Sequence, residues 1–244
     1  MTALVSLEGV TVVHARDQRG ESLILRDVDL TVRAGERIGV LGTTERSGKS
    51  ALLRVLAGAL APDAGRVIFD GMSLYEVSDT RRAALLREHI GFADPATLEL
   101  TRCDRIVELV AMALMSGRVS MRSAEIRARQ ALVHARAGAC AEMHPSELTR
   151  GERVRVAIAR AIVRDPKILL VDEPAALPDP GDVDAIMRLL HATARERGIA
   201  LVVASRDAFV LRGRWDTIVH VSGGDVATSD RAGELVPFPG RRSA

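Results

Sequence analysis

The chain has 244 residues and a mass of 26.2 kDa, which is enough for one domain with a sizeable core, with or without a smaller subdomain. Its residues are 47% hydrophobic and 27% charged, a balance typical of soluble globular proteins that excludes a disordered or low-complexity chain. The 34 basic and 32 acidic residues leave a formal net charge of +2, so we do not expect nonspecific binding to nucleic acid.

Two kinds of segment are predicted to be strands. Residues 4–13 and 23–32 come first, and in the second of them apolar and polar residues alternate, which indicates a sheet with one solvated face. Residues 38–41, 168–171 and 199–204 are short and continuously apolar, as parallel strands are when helices cover both faces. A polar segment and a helical pattern follow each of these. The order predicts an α/β fold with a mainly parallel, doubly wound sheet and an antiparallel β part at the N-terminal end.

A helical region and a hairpin complete the predicted fold. From about residue 93 to residue 148 the strand pattern stops, and Ala, Leu, Met and Arg recur at helical spacing. We therefore expect a single domain over residues 1–244 with a helical subdomain inserted at 93–148. Residues 217–221 form another predicted strand, and the Ser-Gly-Gly-Asp turn after it suits a hairpin. Residues 233–244 are expected to be a short tail.

The cysteines and the apolar segments indicate where the protein works. Cys103 and Cys140 are far apart and fit neither a disulfide framework nor a metal site, which favours a reducing cytosol. The start of the chain lacks the pattern of a signal peptide. The most apolar stretch, residues 106–115, contains a glutamate and is far shorter than the ~20 residues that a membrane span needs. We therefore expect a cytoplasmic protein that reaches a membrane only through a partner.

A candidate phosphate-binding loop follows the third predicted strand. It runs from Gly42 to Gly48-Lys49-Ser50 and leads into a helix with an apolar inner face. In such a setting backbone N–H groups surround phosphates, the lysine reaches the phosphate oxygens and the hydroxyl binds magnesium. Gly42, Ser47, Gly48, Lys49 and Ser50 are therefore candidates for nucleotide binding.

This loop departs from the regular pattern. Gly42 and Gly48 enclose five residues instead of four, and Arg46 stands where related loops often carry another glycine. Because non-glycine residues tolerate positive φ poorly, either the loop is remodelled or its ring of amides is incomplete. Glu45 also places a negative charge close to where phosphates would lie. An ordinary strand-to-helix turn with a chance Gly-Lys-Ser is the alternative.

Two carboxylates end the apolar strand at residues 168–171. Asp172 would hold Mg²⁺ through water, and Glu173 would orient and deprotonate a water that attacks a nucleotide. Alternatively, such acidic residues mark only the return of the chain to solvent. The candidate phosphate loop earlier in the chain favours the nucleotide interpretation.

The segment before that strand predicts an anion-binding helix start. It leads from His144 through Thr149, Arg150, Gly151 and Glu152 into a helical pattern. Thr149 and Glu152 form a predicted capping box, and the free N–H groups and the dipole of this helix would face an anion. A well-started helix without a ligand is the alternative.

Nearly the whole chain resembles the ATP-binding cassette (ABC) ATPases. The signature-like segment at 144–161, the phosphate loop and the acidic strand end fall in family order and spacing, and the His-Pro-Ser-Glu-Leu flank resembles the lipoprotein-release, macrolide-export and cell-division subgroup. The resemblance implies a P-loop NTPase fold that binds ATP and Mg²⁺, with Ser50 and Asp172 at the metal and Glu173 as the catalytic base. It also implies a second ATP-binding subunit, and the signature residues of each subunit would contact the γ-phosphate of the ATP bound by the other. A membrane permease would hold both subunits at the inner face of the cell membrane.

Departures from the family concentrate at the nucleotide. Arg150 replaces a glycine of the signature, so its side chain either occupies a place where the backbone should approach phosphate or pairs with the phosphate. Asp94 and Pro95 stand in place of a magnesium-sensing glutamine, and Arg206 in place of a switch histidine. His14 falls where an aromatic residue stacks on adenine. We therefore expect an ATPase that is slow or dependent on a partner.

Three functional hypotheses follow. The first is an ATP-binding, weakly hydrolysing subunit of a homodimer or heterodimer that drives a permease, and the alternative is a degenerate, non-hydrolysing subunit with a structural or regulatory role. A P-loop protein acting on DNA is disfavoured by the near-neutral charge. Lys49 and Lys167 are the only lysines among the 34 basic residues. A compact ammonium suits a phosphate site better than a planar guanidinium, so Lys49 favours nucleotide binding, whereas Lys167 is expected to be an ordinary solvated residue.

Overall fold

A computed structural model describes residues 3–17, 20–96, 103–115, 119–175, 177, 179–213 and 215–230, with the backbone alone described at 14–17, 20–23, 229 and 230. Within these residues the strands form an antiparallel sheet of four strands and a mainly parallel sheet of six. The predicted tail at 233–244 lies outside the described residues.

The smaller sheet comes from the first third of the chain. β1 (Ala3–Asp17) pairs with β2 (Gly20–Arg33) on one side and with β4 (Ala64–Phe69) on the other, and β5 (Met72–Ser73) pairs with β4. All of these pairings are antiparallel. Both strands predicted in this part of the chain are confirmed, as is the antiparallel N-terminal β part.

The larger sheet is parallel except at one edge. In spatial order its strands are β10 (Asp225–Asp230), β9 (Thr217–Ser222), β3 (Arg37–Leu41), β8 (Ala200–Ser205), β7 (Ile168–Asp172) and β6 (Ile90–Ala93). β7 and β8 are buried along their whole length, as their continuous apolar sequences predict. β10 alone runs antiparallel, because the predicted hairpin turn joins it to β9, with positive φ at Gly223 and Gly224.

Six α-helices lie within the described residues: α1 (Lys49–Leu56), α2 (Asp79–His89), α3 (Ile106–Met112), α4 (Met121–His134), α5 (Arg150–Ile162) and α6 (Pro180–Arg197). Two short 3₁₀ turns, Gly138–Cys140 and Pro145–Glu147, lie between α4 and α5. Strand structure is absent from the described residues between β6 and α5, as the helical spacing predicts. The treatment of residues 93–148 as an inserted subdomain stays a prediction.

Alternate residues of the parallel strands belong to two separate cores. On β7, Leu169 and Val171 pack with α3, α4, α5 and α6 on one face of the sheet. Ile168 and Leu170 pack with α1 and the antiparallel sheet on the other face. Because both faces are covered, polar side chains can gather only at the strand ends, and the carboxyl ends of β3, β8 and β7 lie side by side.

Candidate nucleotide-binding site

Gly42 allows the loop after β3 to close on itself. A Cβ atom on Gly42 would clash with the side chain of Ser47, so any other residue here would force Ser47 to move. The Gly42 N–H donates to the carbonyl of Ser205, at the end of β8, over 3.1 Å. The start of the loop is thus fixed to the neighbouring strand, and the buried Ser47 folds back over it.

Gly48 makes the turn from the loop into α1. Its φ is 103°, and a Cβ atom there would lie 2.5 Å from the carbonyl oxygen of Ile24. The Ser47 carbonyl accepts a hydrogen bond from the Gly224 N–H at 3.2 Å, so the β9–β10 hairpin braces the loop from outside. Residues 43–46 are all described, and none of them has a positive φ. The loop is therefore remodelled so that its one positive φ falls on a glycine, Gly48.

Lys49 begins α1 with a nearly buried side chain. It is only 3% exposed, and its Nζ lies 3.2 Å from Oε1 of Glu173, just beyond the end of β7. A buried ammonium group is costly unless a negative charge accompanies it. The lysine expected to face phosphate and the predicted catalytic base are therefore partners within the same chain.

Ser50 and Asp172 lie together, as the predicted metal site requires. The Ser50 hydroxyl hydrogen-bonds the Asp172 carboxylate, whose buried Oδ1 has no hydrogen-bond partner among the described residues. Burial raises the pKa of Asp172, and the charges of Glu173 and Asp94 raise it further. The Ser50 hydrogen bond and the charge of Lys49 act in the opposite direction. A hydroxyl beside a carboxylate with an open oxygen fits Mg²⁺, which takes oxygen ligands and keeps several waters.

Glu173 sits on strained backbone at the centre of the site. Its φ of 48° is unusual for a residue with a side chain, and strain of this kind clusters at functional sites. The Glu173 N–H donates to the Ala204 carbonyl at 3.0 Å, so β8 holds this conformation. Oε1 is buried and has no hydrogen bond among the described residues, although Lys49 Nζ and Arg206 Nε lie within 3.3 Å of it. Charge attraction holds this oxygen, which remains able to accept a hydrogen bond.

Arg206 connects the base to the phosphate loop. Its side-chain Nε lies 3.3 Å from Glu173 Oε1. Its backbone N–H donates a hydrogen bond to Glu173 Oε2 at 3.4 Å. Its Nη1 lies 3.2 Å from Oε1 of Glu45 in the loop. Charges of alternating sign therefore run from Glu45 through Arg206 and Glu173 to Lys49.

The predicted capping box at the start of α5 is confirmed. The Glu152 N–H donates to the Thr149 hydroxyl at 3.3 Å, and the Thr149 N–H donates to Glu152 Oε2 at 2.9 Å. The hydrogen bond from the Thr149 N–H, reinforced by the Thr149 hydroxyl, lowers the pKa of Glu152. Arg150 is exposed, and a Cβ atom on Gly151 would meet nothing closer than Asp182 Oδ2 at 3.7 Å. Packing within the described part of the chain therefore does not require glycine at position 151.

The structure brings most of the sequence-predicted residues into one group. The contacts above join the loop residues with Ser50, Asp172, Glu173 and Arg206, whereas Thr149 and Glu152 bond to each other at the start of another helix. The side chain of His14 lies outside the described residues. Sequence reasoning missed the bond from Gly224 to the loop and the pairing of Glu45 with Arg206. The predicted hairpin turn was a signal for the hydrogen bond from Gly224. No sequence signal existed for the pairing of Glu45 with Arg206, because these residues are 161 positions apart.

Comparisons with known proteins agree with this geometry. A family model described as ABC transporter matches residues 25–176. The lipoprotein-releasing system ATP-binding protein LolD of Chromohalobacter salexigens is 35% identical over 204 residues, which cover 84% of this chain and 85% of that protein. LolD 2 of Caulobacter vibrioides is 34% identical over 221 residues, covering 91% of this chain and 95% of the relative.

Solved structures show the same fold. The dimeric bacterial ABC transporter cassette MJ0796 superposes with a TM-score of 0.85 at 28% identity, covering 95% of this chain and all of that one. The same cassette, as a post-hydrolysis dimer bound to ADP and Pi, gives the same TM-score of 0.85. These likenesses confirm the predicted α/β fold and the subgroup, and they give no support to the degenerate alternative. The chain belongs to the ABC transporter family, as one of its ATP-binding subunits.

Proposed function

We propose that this chain hydrolyses ATP, slowly or only with a partner, to drive a membrane complex. The observation that carries the proposal is the convergence of Lys49 and Arg206 on one oxygen of Glu173, within 3.3 Å, beside the Ser50–Asp172 pair. A polyphosphate would offer both cations a stronger anionic partner. The Glu173 carboxylate would then be free to orient an attacking water and accept its proton.

Ser50 and Asp172 are the residues that would hold Mg²⁺. When bound, the ion would neutralise charge on the phosphate oxygens. The Asp172 Oδ1 without a hydrogen bond and the adjacent Ser50 hydroxyl are the oxygens on offer. His14 is the proposed contact for adenine.

Slow turnover is expected because Glu173 is engaged before any nucleotide arrives. Its two cationic neighbours must move to new partners, and removing or misplacing one group that stabilises a transition state typically costs ~10²-fold in rate. The exposed Arg150 adds a side chain to the signature, where the family has glycine.

The proposed complex contains a second ATP-binding chain and a permease. The dimeric cassette MJ0796 supports the first, and the names of the LolD relatives, which belong to lipoprotein-releasing systems, support the second. In the described part of the chain, no helix has both the length and the apolar character that crossing a membrane demands. We place the permease contact near residues 93–104, of which 97–102 lie outside the described residues, and the protein at the inner face of the cell membrane. Co-purification with a membrane protein encoded beside this chain tests the assignment.

The substitution Glu173→Gln tests the catalytic role. It keeps the side chain's shape but removes the carboxylate, so we expect phosphate release to fall by ~10²-fold or more while Mg²⁺-dependent ATP binding persists. Phosphate release is measured with and without the partner, and ATP binding by calorimetry. Glu88→Gln, an exposed change near the end of α2, is the control. Turnover unchanged in Glu173→Gln would contradict the role of Glu173, and no binding at millimolar ATP would favour the degenerate alternative.

A further inference from the structure

Glu45 carries a carboxylate into the phosphate loop, where nucleotide phosphates would add still more negative charge. Its side chain is 85% exposed, yet it reaches Arg206 Nη1 at 3.2 Å. The same guanidinium lies 3.3 Å from Glu173 through Nε. The phosphate loop and the segment after β8 are thus joined by an ion pair between side chains.

We propose that Glu45 is a specificity-determining residue, an internal competitor that holds Arg206 until a terminal phosphate takes its place. The proposal deepens the proposed function and rests on it. In the absence of nucleotide, Glu45 and Glu173 satisfy the guanidinium. In the triphosphate complex, Arg206 exchanges Glu45 for phosphate oxygens, to which a guanidinium binds through several donors at once.

The competition acts more strongly on a triphosphate than on a diphosphate. Arg206 lies beside Glu173, and the base must face the bond that breaks, so the terminal phosphate is the group that reaches the guanidinium. A diphosphate can bind the loop and Lys49 while Arg206 stays on Glu45. Removing Glu45 should therefore tighten the binding of ATP more than the binding of ADP.

The size of the effect follows from exposure. Arg206 is 44% and Glu45 85% exposed, so water screens their attraction and the pair is weak. We expect Glu45→Gln to tighten ATP binding by about two- to fivefold, the range that an exposed ion pair supports. ADP binding should change less than twofold.

A double-mutant cycle separates competition from simple repulsion. Affinities for ADP and for a non-hydrolysable ATP analogue, which prevents turnover, are measured by calorimetry with Mg²⁺ on the full chain. The proteins compared are wild type, Glu45→Gln, Arg206→Ala and the double variant. If Glu45 competes for Arg206, the gain from Glu45→Gln disappears in the Arg206→Ala background. Glu88→Gln removes an exposed charge on α2 and should leave both affinities unchanged.

Each result decides the matter. A selective ATP gain that needs Arg206 supports the proposal. An equal gain for both nucleotides, a gain that persists without Arg206, no gain, or weaker ATP binding in Glu45→Gln would overturn it while leaving the nucleotide site in place. Failure of the wild type to bind either nucleotide at millimolar concentration would overturn both this proposal and the proposed function.

Discussion

The phosphate loop and the start of α5 both present backbone N–H groups at a helix N-terminus, but they differ in how their charges are satisfied. At the loop, Lys49 and Arg206 are already paired with the carboxylates Glu173 and Glu45. At α5, Thr149 and Glu152 satisfy each other through a capping box that leaves the side chain of Arg150 exposed.

The difference separates two kinds of anion site. A phosphate at the loop must replace existing ion pairs, so its binding is an exchange and its net gain is smaller than the new contacts suggest. A phosphate that binds at the start of α5 would leave the hydrogen bonds between Thr149 and Glu152 in place. Under the proposed function, the loop would hold nucleotide within one chain, whereas the start of α5 would accept a phosphate bound by a second chain.

The largest effect is expected at Lys49. Lys49→Ala removes the buried ammonium from the loop, so we expect ATP affinity, measured by calorimetry, to fall by ~10²-fold or more. Glu173 keeps Arg206 as a partner, so the variant should still fold, which thermal unfolding checks.

The second lysine provides the matched control. Lys167 is 47% exposed, as expected of a solvated residue, and it pairs at the surface with Asp70 at 2.7 Å. Lys167→Ala should leave ATP affinity unchanged. Equal losses in the two variants would mean that Lys49 acts through general charge and not at the phosphates.

A smaller effect is expected at the α5 cap. Thr149→Ala removes the hydroxyl that accepts from Glu152, which should lower the free energy of unfolding by about 1 kcal/mol in urea titrations. ATP affinity of the single chain should stay within about twofold of the wild type, because a cap contributes to helix stability and not to the loop.

Ser120→Ala, which removes the N-cap of α4, is the matched variant for that measurement. It should lose a similar stability and no ATP affinity. If Thr149→Ala weakened ATP binding tenfold while Ser120→Ala did not, the two regions would not be independent and the comparison would fail.

Sequence patterns predicted the scaffold well because they reflect local physics. Continuous apolar runs identified β7 and β8, since strands buried on both faces need apolar residues at every position. The Ser-Gly-Gly-Asp turn identified the β9–β10 hairpin, since two consecutive positive φ values favour glycine, asparagine or aspartate. The capping box at Thr149 and Glu152 is equally local.

The electrostatics of the site could not be predicted in the same way. The unusual loop spacing was visible, but its resolution depends on Ser47 packing over Gly42 and on a hydrogen bond from Gly224. The pairing of Arg206 with Glu45 depends on two strand ends that only the sheet order brings together. Such long-range contacts leave no periodic signal in the sequence.

The most direct test of the exchange of ion pairs is a crystal structure of this chain with a non-hydrolysable ATP analogue and Mg²⁺. We predict that Lys49 Nζ and the Arg206 guanidinium bind phosphate oxygens, and that the 3.2 Å contact between Lys49 and Glu173 is broken. A complex in which the nucleotide is bound while both cations remain on Glu173 would contradict the account.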